Sequence, residues 1–160
     1  RNRGARVRSW TDEQIAEMYL LRALLEGHGA RLASLNATSE DIERLRRVQE
    51  ELEATLRDRP EGYLDRVADL NAEFHGLVLA MANSPLLSGF VETLSSVSLV
   101  RRAFRGYSEN DLARTVISHG DILLGIETGA PDLAQAAMHS HILAATRSAA
   151  TGLTQRRPAE

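Results

Sequence analysis

Apolar positions along this chain recur mostly at spacings of three and four, and no segment shows the period-two alternation of a half-buried strand. Thr11 or Asp12 can cap a first helix, in which Ile15, Met18, Tyr19, Leu21, Leu24, Leu25 and Leu32 cover more than one face. A helix apolar on that many sides packs on several neighbours. The "TSED" of residues 38–41 has the form of a capping box with Asp in place of Glu. Ile42, Leu45, Leu52 and Leu56 then make a second, amphipathic helix that ends before Pro60. A third runs from about Glu61 to Ala82, with Leu64, Val67, Ala68, Asn71, His75, Val78, Leu79 and Ala82 on one stripe, and "NSP" breaks it. After Pro85 a fourth helix places Leu87, Phe90, Val91, Leu94, Val97, Arg101 and Phe104 on one face. Ser108, three residues before Asp111, caps a fifth that carries Leu112, Val116, His119, Leu123 and Ile126 and stops near Gly129. The sixth, from about Pro131 to Ala150, carries Ala134, Ala137, Met138, His141 and Ala145. Six helices joined by short links predict an all-α antiparallel bundle.

The 160 residues suit one domain that buries its core without cross-links, and 43% apolar with 26% charged residues is the composition of a chain that folds. With no cysteine, disulfides, thiolate metal sites and cysteine nucleophiles are excluded, so a metal would need nitrogen and oxygen ligands. The net charge of −3 argues against nucleic-acid binding by the body of the chain. The exception is the N-terminus, with Arg1, Arg3, Arg6 and Arg8. All 19 basic residues are Arg, which reads as codon bias rather than function. Nothing resembles a signal peptide or a membrane span, so no membrane partner is expected and the cytoplasm is the simplest location.

His75, His119 and His141 each lie on the apolar stripe of a different helix. One histidine on such a face is ordinarily a core residue satisfied by one carbonyl. Three on three helices have a common solution, because convergence on a single metal ion would satisfy them together. Asn71 lies one turn before His75 on the same face and adds a side-chain oxygen. His139, about 200° from His141, should face away. Three imidazoles and one oxygen suit zinc first, with nickel, manganese or iron(II) as alternatives. A hydrolytic centre would need a general base, and the nearby Glu73 and Asp121 are expected to be solvated. Arg22 and Glu26, four apart, can pair at a surface, in a subunit contact or in the core.

"LNAEFHGLVLAMANSPLL", "SHGDIL" and "AAMHSHI" together resemble the FCD domain, the effector-binding C-terminal domain of the FadR-like branch of GntR-family bacterial transcription regulators. The resemblance extends from "LLRALLEGHGARLA" to His141. It implies a divalent transition metal held by Asn71, His75, His119 and His141, where the family pattern more often has Asp at the first position. It also implies a small carboxylate effector, for which Arg101, in phase with Leu87 and Leu94, is the first candidate counter-charge and Arg22 the second. "NRGARV" is similar to the end of a winged helix-turn-helix wing, so residues 1–10 read as a remnant, 11–151 as the sensing and dimerisation domain and 152–160 as a tail. Operator DNA would then be contacted only through a winged helix absent from this chain. A homodimer follows from the resemblance and from the apolar covering of the first helix. The expected function is effector sensing rather than catalysis; the alternatives are a metal-dependent enzyme and a purely structural helical dimerisation domain.

Overall fold

The computed structural model describes residues 11–94 and 103–154; the expected wing remnant, Val97, Arg101 and the end of the tail lie outside them. The described residues form six helices and no strand: α1 (Asp12–Asn36), α2 (Ser39–Asp58), α3 (Tyr63–Met81), α4 (Pro85–Leu94), α5 (Glu109–Glu127) and α6 (Pro131–Thr154). Three begin with reciprocal capping boxes, Thr11 with Gln14, Thr38 with Asp41 and Ser108 with Asp111, each satisfying amides that the first turn leaves free. The breaks are equally local. Asn83, at φ 51°, takes the left-handed conformation that Asn tolerates, and Pro85 then opens α4. Gly129, at φ 59°, turns the chain out of α5, and Pro131 opens α6.

Helix directions follow from which residues meet. Arg31 pairs with Asp132, and Tyr19 and Arg22 share a cavity wall with Ile142 and Ala145, so α1 and α6 are antiparallel. Gly125 meets Ala134 while Ser118 meets His141, so α5 and α6 are antiparallel too. Arg46 with Glu127 and Arg59 with Glu109 set α2 antiparallel to α5. The pair α1 and α3 runs parallel, with Glu26 at His75 and Asn36 donating to the Ala82 carbonyl.

Burial corrects the expected faces of α1 and α4. Leu21 and Leu24 are 43% and 55% exposed, and the inner face of α1 is lined instead by Ala23, Gly27, Ala30 and Ala33. Small residues there admit α6 closely: a Cβ on Gly27 would lie 3.3 Å from the Gln135 carbonyl oxygen. On α4, Leu87 and Val91 are buried against Leu25 and Leu32 of α1, whereas Phe90 is 58% exposed. Phe74, Ile15, Leu45, Leu52, Leu70, Ile122 and Met138 make the centre of the main core. No helix among the described residues is long and apolar enough to cross a membrane.

Candidate metal centre

Three helices deliver one imidazole each to the middle of the bundle. His75 (α3), His119 (α5) and His141 (α6) are all buried, and a ring nitrogen of each lies within 4.8 Å of those of the other two. Phe74 stacks on His119 with centroids 3.9 Å apart and rings 8° from parallel, which fixes the plane of that imidazole. The outer nitrogens are all engaged. His75 Nδ1 is 2.6 Å from Glu26 Oε2, His119 Nδ1 is 3.2 Å from Gln49 Oε1, and His141 Nδ1 is 2.8 Å from Ser118 Oγ.

These partners set the tautomers. Burial alone would raise the Glu26 carboxyl, but Arg22 and His75 outweigh it and hold it at about 2, so an ionised oxygen accepts from His75 Nδ1–H. The Gln49 amide donates to Glu53 Oε1 at 2.7 Å and to the Val116 carbonyl at 3.2 Å, which turns its oxygen to accept from His119 Nδ1–H. Ser118 donates its single hydroxyl proton to the Arg114 carbonyl at 2.7 Å, so its oxygen accepts from His141 Nδ1–H. With Nδ1 engaged in each case, Nε2 is the atom each ring has left to offer a metal.

Two of these nitrogens face each other. His75 Nε2 and His141 Nε2 are 3.2 Å apart, and His119 Nε2 is a buried polar atom with no hydrogen-bond partner among the described residues. The orphaned His119 Nε2 is an arrangement that native interiors avoid and that a bound cation would relieve. A divalent transition metal fits this donor set: three neutral imidazoles, each backed by an oxygen on its far nitrogen. Burial, then the neighbouring His141 and His75, drives the pKa of His119 well below its ordinary value, and burial with His75 lowers His141 to about 3. Both are therefore neutral ligands at physiological pH.

Beside the triad lies a cavity with about 20 Å³ open to the centre of a water molecule, enough to admit a water. Asn71, Arg22, Tyr19 and Tyr107 line it along with His75 and His141. Asn71 is buried in that wall. Arg22, the second expected effector contact, is buried there too, with its Nε donating to Glu26 Oε1 at 2.8 Å. The Arg22–Glu26 pair, which α1 could have carried on a surface, is thus a buried bridge to His75. Arg101, the first expected contact, lies outside the described residues. Glu73 and Asp121 are exposed, and half-buried His139 sits against Gly27 of α1.

Sequence reasoning did not find the roles of Glu26, Gln49 and Ser118. A signal existed for Glu26, an acid four residues from an arginine on an otherwise apolar helix. Gln49 and Ser118 carried none, being polar residues of a kind that surfaces hold in numbers.

Comparison with known proteins bears on the family and the fold. The family profile described as the FCD domain matches residues 17–144. No curated protein matches the chain in sequence. Among solved structures, the chain is similar to Streptococcus agalactiae GntR, with a TM-score of 0.72 and 22% identity over 89% of this chain and 62% of that one. It is also similar to E. coli McbR/YncC, with a TM-score of 0.73 and 17% identity over 85% of this chain and 67% of that one. The chain therefore spans about three-fifths of the length of the first of these.

Proposed function

The chain belongs to the FCD domain family, and on that premise we propose that it is the effector-sensing and dimerisation domain of a GntR-type transcription regulator working in the cytoplasm. In this reading the domain binds a small carboxylate beside a divalent metal, zinc first, with nickel, manganese or iron(II) as alternatives. His75, His119 and His141 hold the ion, and Asn71 contributes its side-chain oxygen. The observation that carries the reading is the convergence of three buried imidazoles whose outer nitrogens are engaged by Glu26, Gln49 and Ser118.

The ion would supply positive charge at the inner end of the cavity, where an anionic oxygen can be recognised. The protein's own groups do the rest. Arg22 offers its guanidinium from α1, and Tyr19 and Tyr107 form further wall beside it. Arg101 would add a second counter-charge. A ligand gripped between α1 and the triad on α3, α5 and α6 favours one arrangement of these helices over another, and only that differential affinity shifts their equilibrium. A winged helix ahead of the domain would transmit the shift to operator DNA. Leu20, Leu21 and Leu24, all between 43% and 55% exposed on α1, support a homodimer that covers them.

No bond-making step is required. Calorimetric titration of small carboxylic acids into zinc-loaded and chelator-stripped protein tests the reading. At least one acid should bind the loaded protein, and binding should vanish both on stripping and in His75→Ala. Turnover of a bound acid, abolished by chelation, would replace sensing with catalysis.

A further inference from the structure

The cavity beside the triad is walled mostly by buried residues. Among the described residues that line it, Tyr107 and Ala145 alone are part-exposed, and the others, Tyr19 and Phe104 included, are buried. Those two also line a second, smaller cavity, where they and His141 meet Asp111 and Arg114 of α5. It has about 10 Å³ open to the centre of a water molecule. Arg114 and Ala144 at its rim are exposed, so it faces solvent. What stands between the two cavities is therefore side chain rather than backbone: the Ala145 methyl group, the Tyr107 ring and the His141 imidazole. Burial works against the charge of Asp111, but the Ser108 amide at 2.8 Å and hydroxyl at 2.6 Å, with help from Ser148 of α6, outweigh it and keep the carboxyl ionised. A fixed negative charge thus stands at the outer mouth beside the positive charge of Arg114.

We propose that the second cavity is the entrance to the metal centre and that Tyr107 and Ala145 form its threshold, setting how fast a cation enters and leaves but not how tightly it is held. This rests on the metal reading above and adds a route to it. Ala145 follows His141 by one helical turn on the same face, and a side chain on a helix leans back over the turn before it. A longer side chain there would lie across the outer edge of His141 and fill the gap beside Tyr107. A barrier on the path raises the free energy of the passing ion and of neither end state. Entry and exit then slow by one factor, and the affinity, which is their ratio, stays. The mouth acts at longer range: Asp111 draws an approaching dication and Arg114 opposes it, each less strongly as salt screens them.

The test uses zinc alone, in a non-coordinating buffer with chloride as the added anion. Loading is followed by stopped flow against a zinc-sensitive dye, release by extraction into excess EDTA, and affinity by competition with the same dye at equilibrium. Ala145→Leu should slow loading and release together by about tenfold or more while the affinity shifts by less than about threefold. A disrupted fold does the opposite and sheds zinc faster. Arg114→Glu, at an exposed position, should speed loading by about twofold or more at low ionic strength and lose that gain at high salt. Arg57→Glu, an equal change of charge at an exposed position of α2, should not speed it. Unchanged rates in Ala145→Leu overturn the route and leave the metal centre standing, as does a loss of affinity without slowing. Should that variant fail to fold, Arg114→Glu decides alone, and loading no faster than in Arg57→Glu overturns the route. Absence of zinc binding by the native chain overturns the metal reading itself and the inference with it.

Discussion

At the scale of single residues, the site is organised by the groups behind the imidazoles. Gln49→Ala removes the oxygen that keeps the His119 proton on Nδ1. Zinc affinity measured by competition with a chromogenic chelator should fall by about 10- to 100-fold, the usual cost of losing such a partner. His139→Ala should leave it unchanged, because that residue packs its Cβ against Gly27 of α1 and is not among the three converging histidines; a loss there would contradict the arrangement described. Glu26→Ala leaves Arg22 buried without its partner, and denaturant unfolding should register a loss of about 3–5 kcal/mol. The three histidines were legible in the sequence because imidazoles on apolar stripes are conspicuous. Their supporting oxygens were not, since what makes Gln49 and Ser118 special is a partner 70 or 23 residues away.

At the scale of elements, the six helices were legible because their ends are written locally, in Thr38 with Asp41, Ser108 with Asp111, and the Pro85 and Pro131 starts. The inner face of α1 was not, because leucines drew the eye to positions that stay exposed, while close approach to α6 selects Ala and Gly. The same logic governs the crossing of α5 and α6. A Cβ on Gly125 would lie 2.6 Å from the Ala134 backbone nitrogen, so Gly125→Ala must push the helices apart. The expected loss is about 1–3 kcal/mol in chemical denaturation. Gly76, with nothing within 4 Å of its added Cβ, is the control, and Gly76→Ala should not destabilise. The caps give a pH signature. Hydrogen bonds from the Thr38 side chain and backbone hold the Asp41 carboxyl below its ordinary value of 3.8. The cap's contribution is therefore full above the unfolded value and is lost as pH falls through the lower native one. Asp41→Asn should flatten that part of the acid limb of the stability curve, and an unchanged limb would refute the assignment.

At the scale of the whole molecule, the bundle brings together groups that the chain scatters. Glu26, Gln49, His75, His119 and His141 come from five helices and meet at one point, which no local pattern could specify; the parallel run of α1 beside α3 is what lets Glu26 reach His75. The proposed sensing role depends on that point holding a cation. Elemental analysis of the protein, purified without an affinity tag or added metal, tests this most directly when the native chain and His119→Ala are measured side by side. The account predicts about one equivalent of a transition metal in the native chain, the occupancy of a single closed nitrogen site, and its loss in the variant. No metal in the native chain, even after reconstitution with zinc and a carboxylate, would contradict it and leave His75, His119 and His141 as core residues that share a proton.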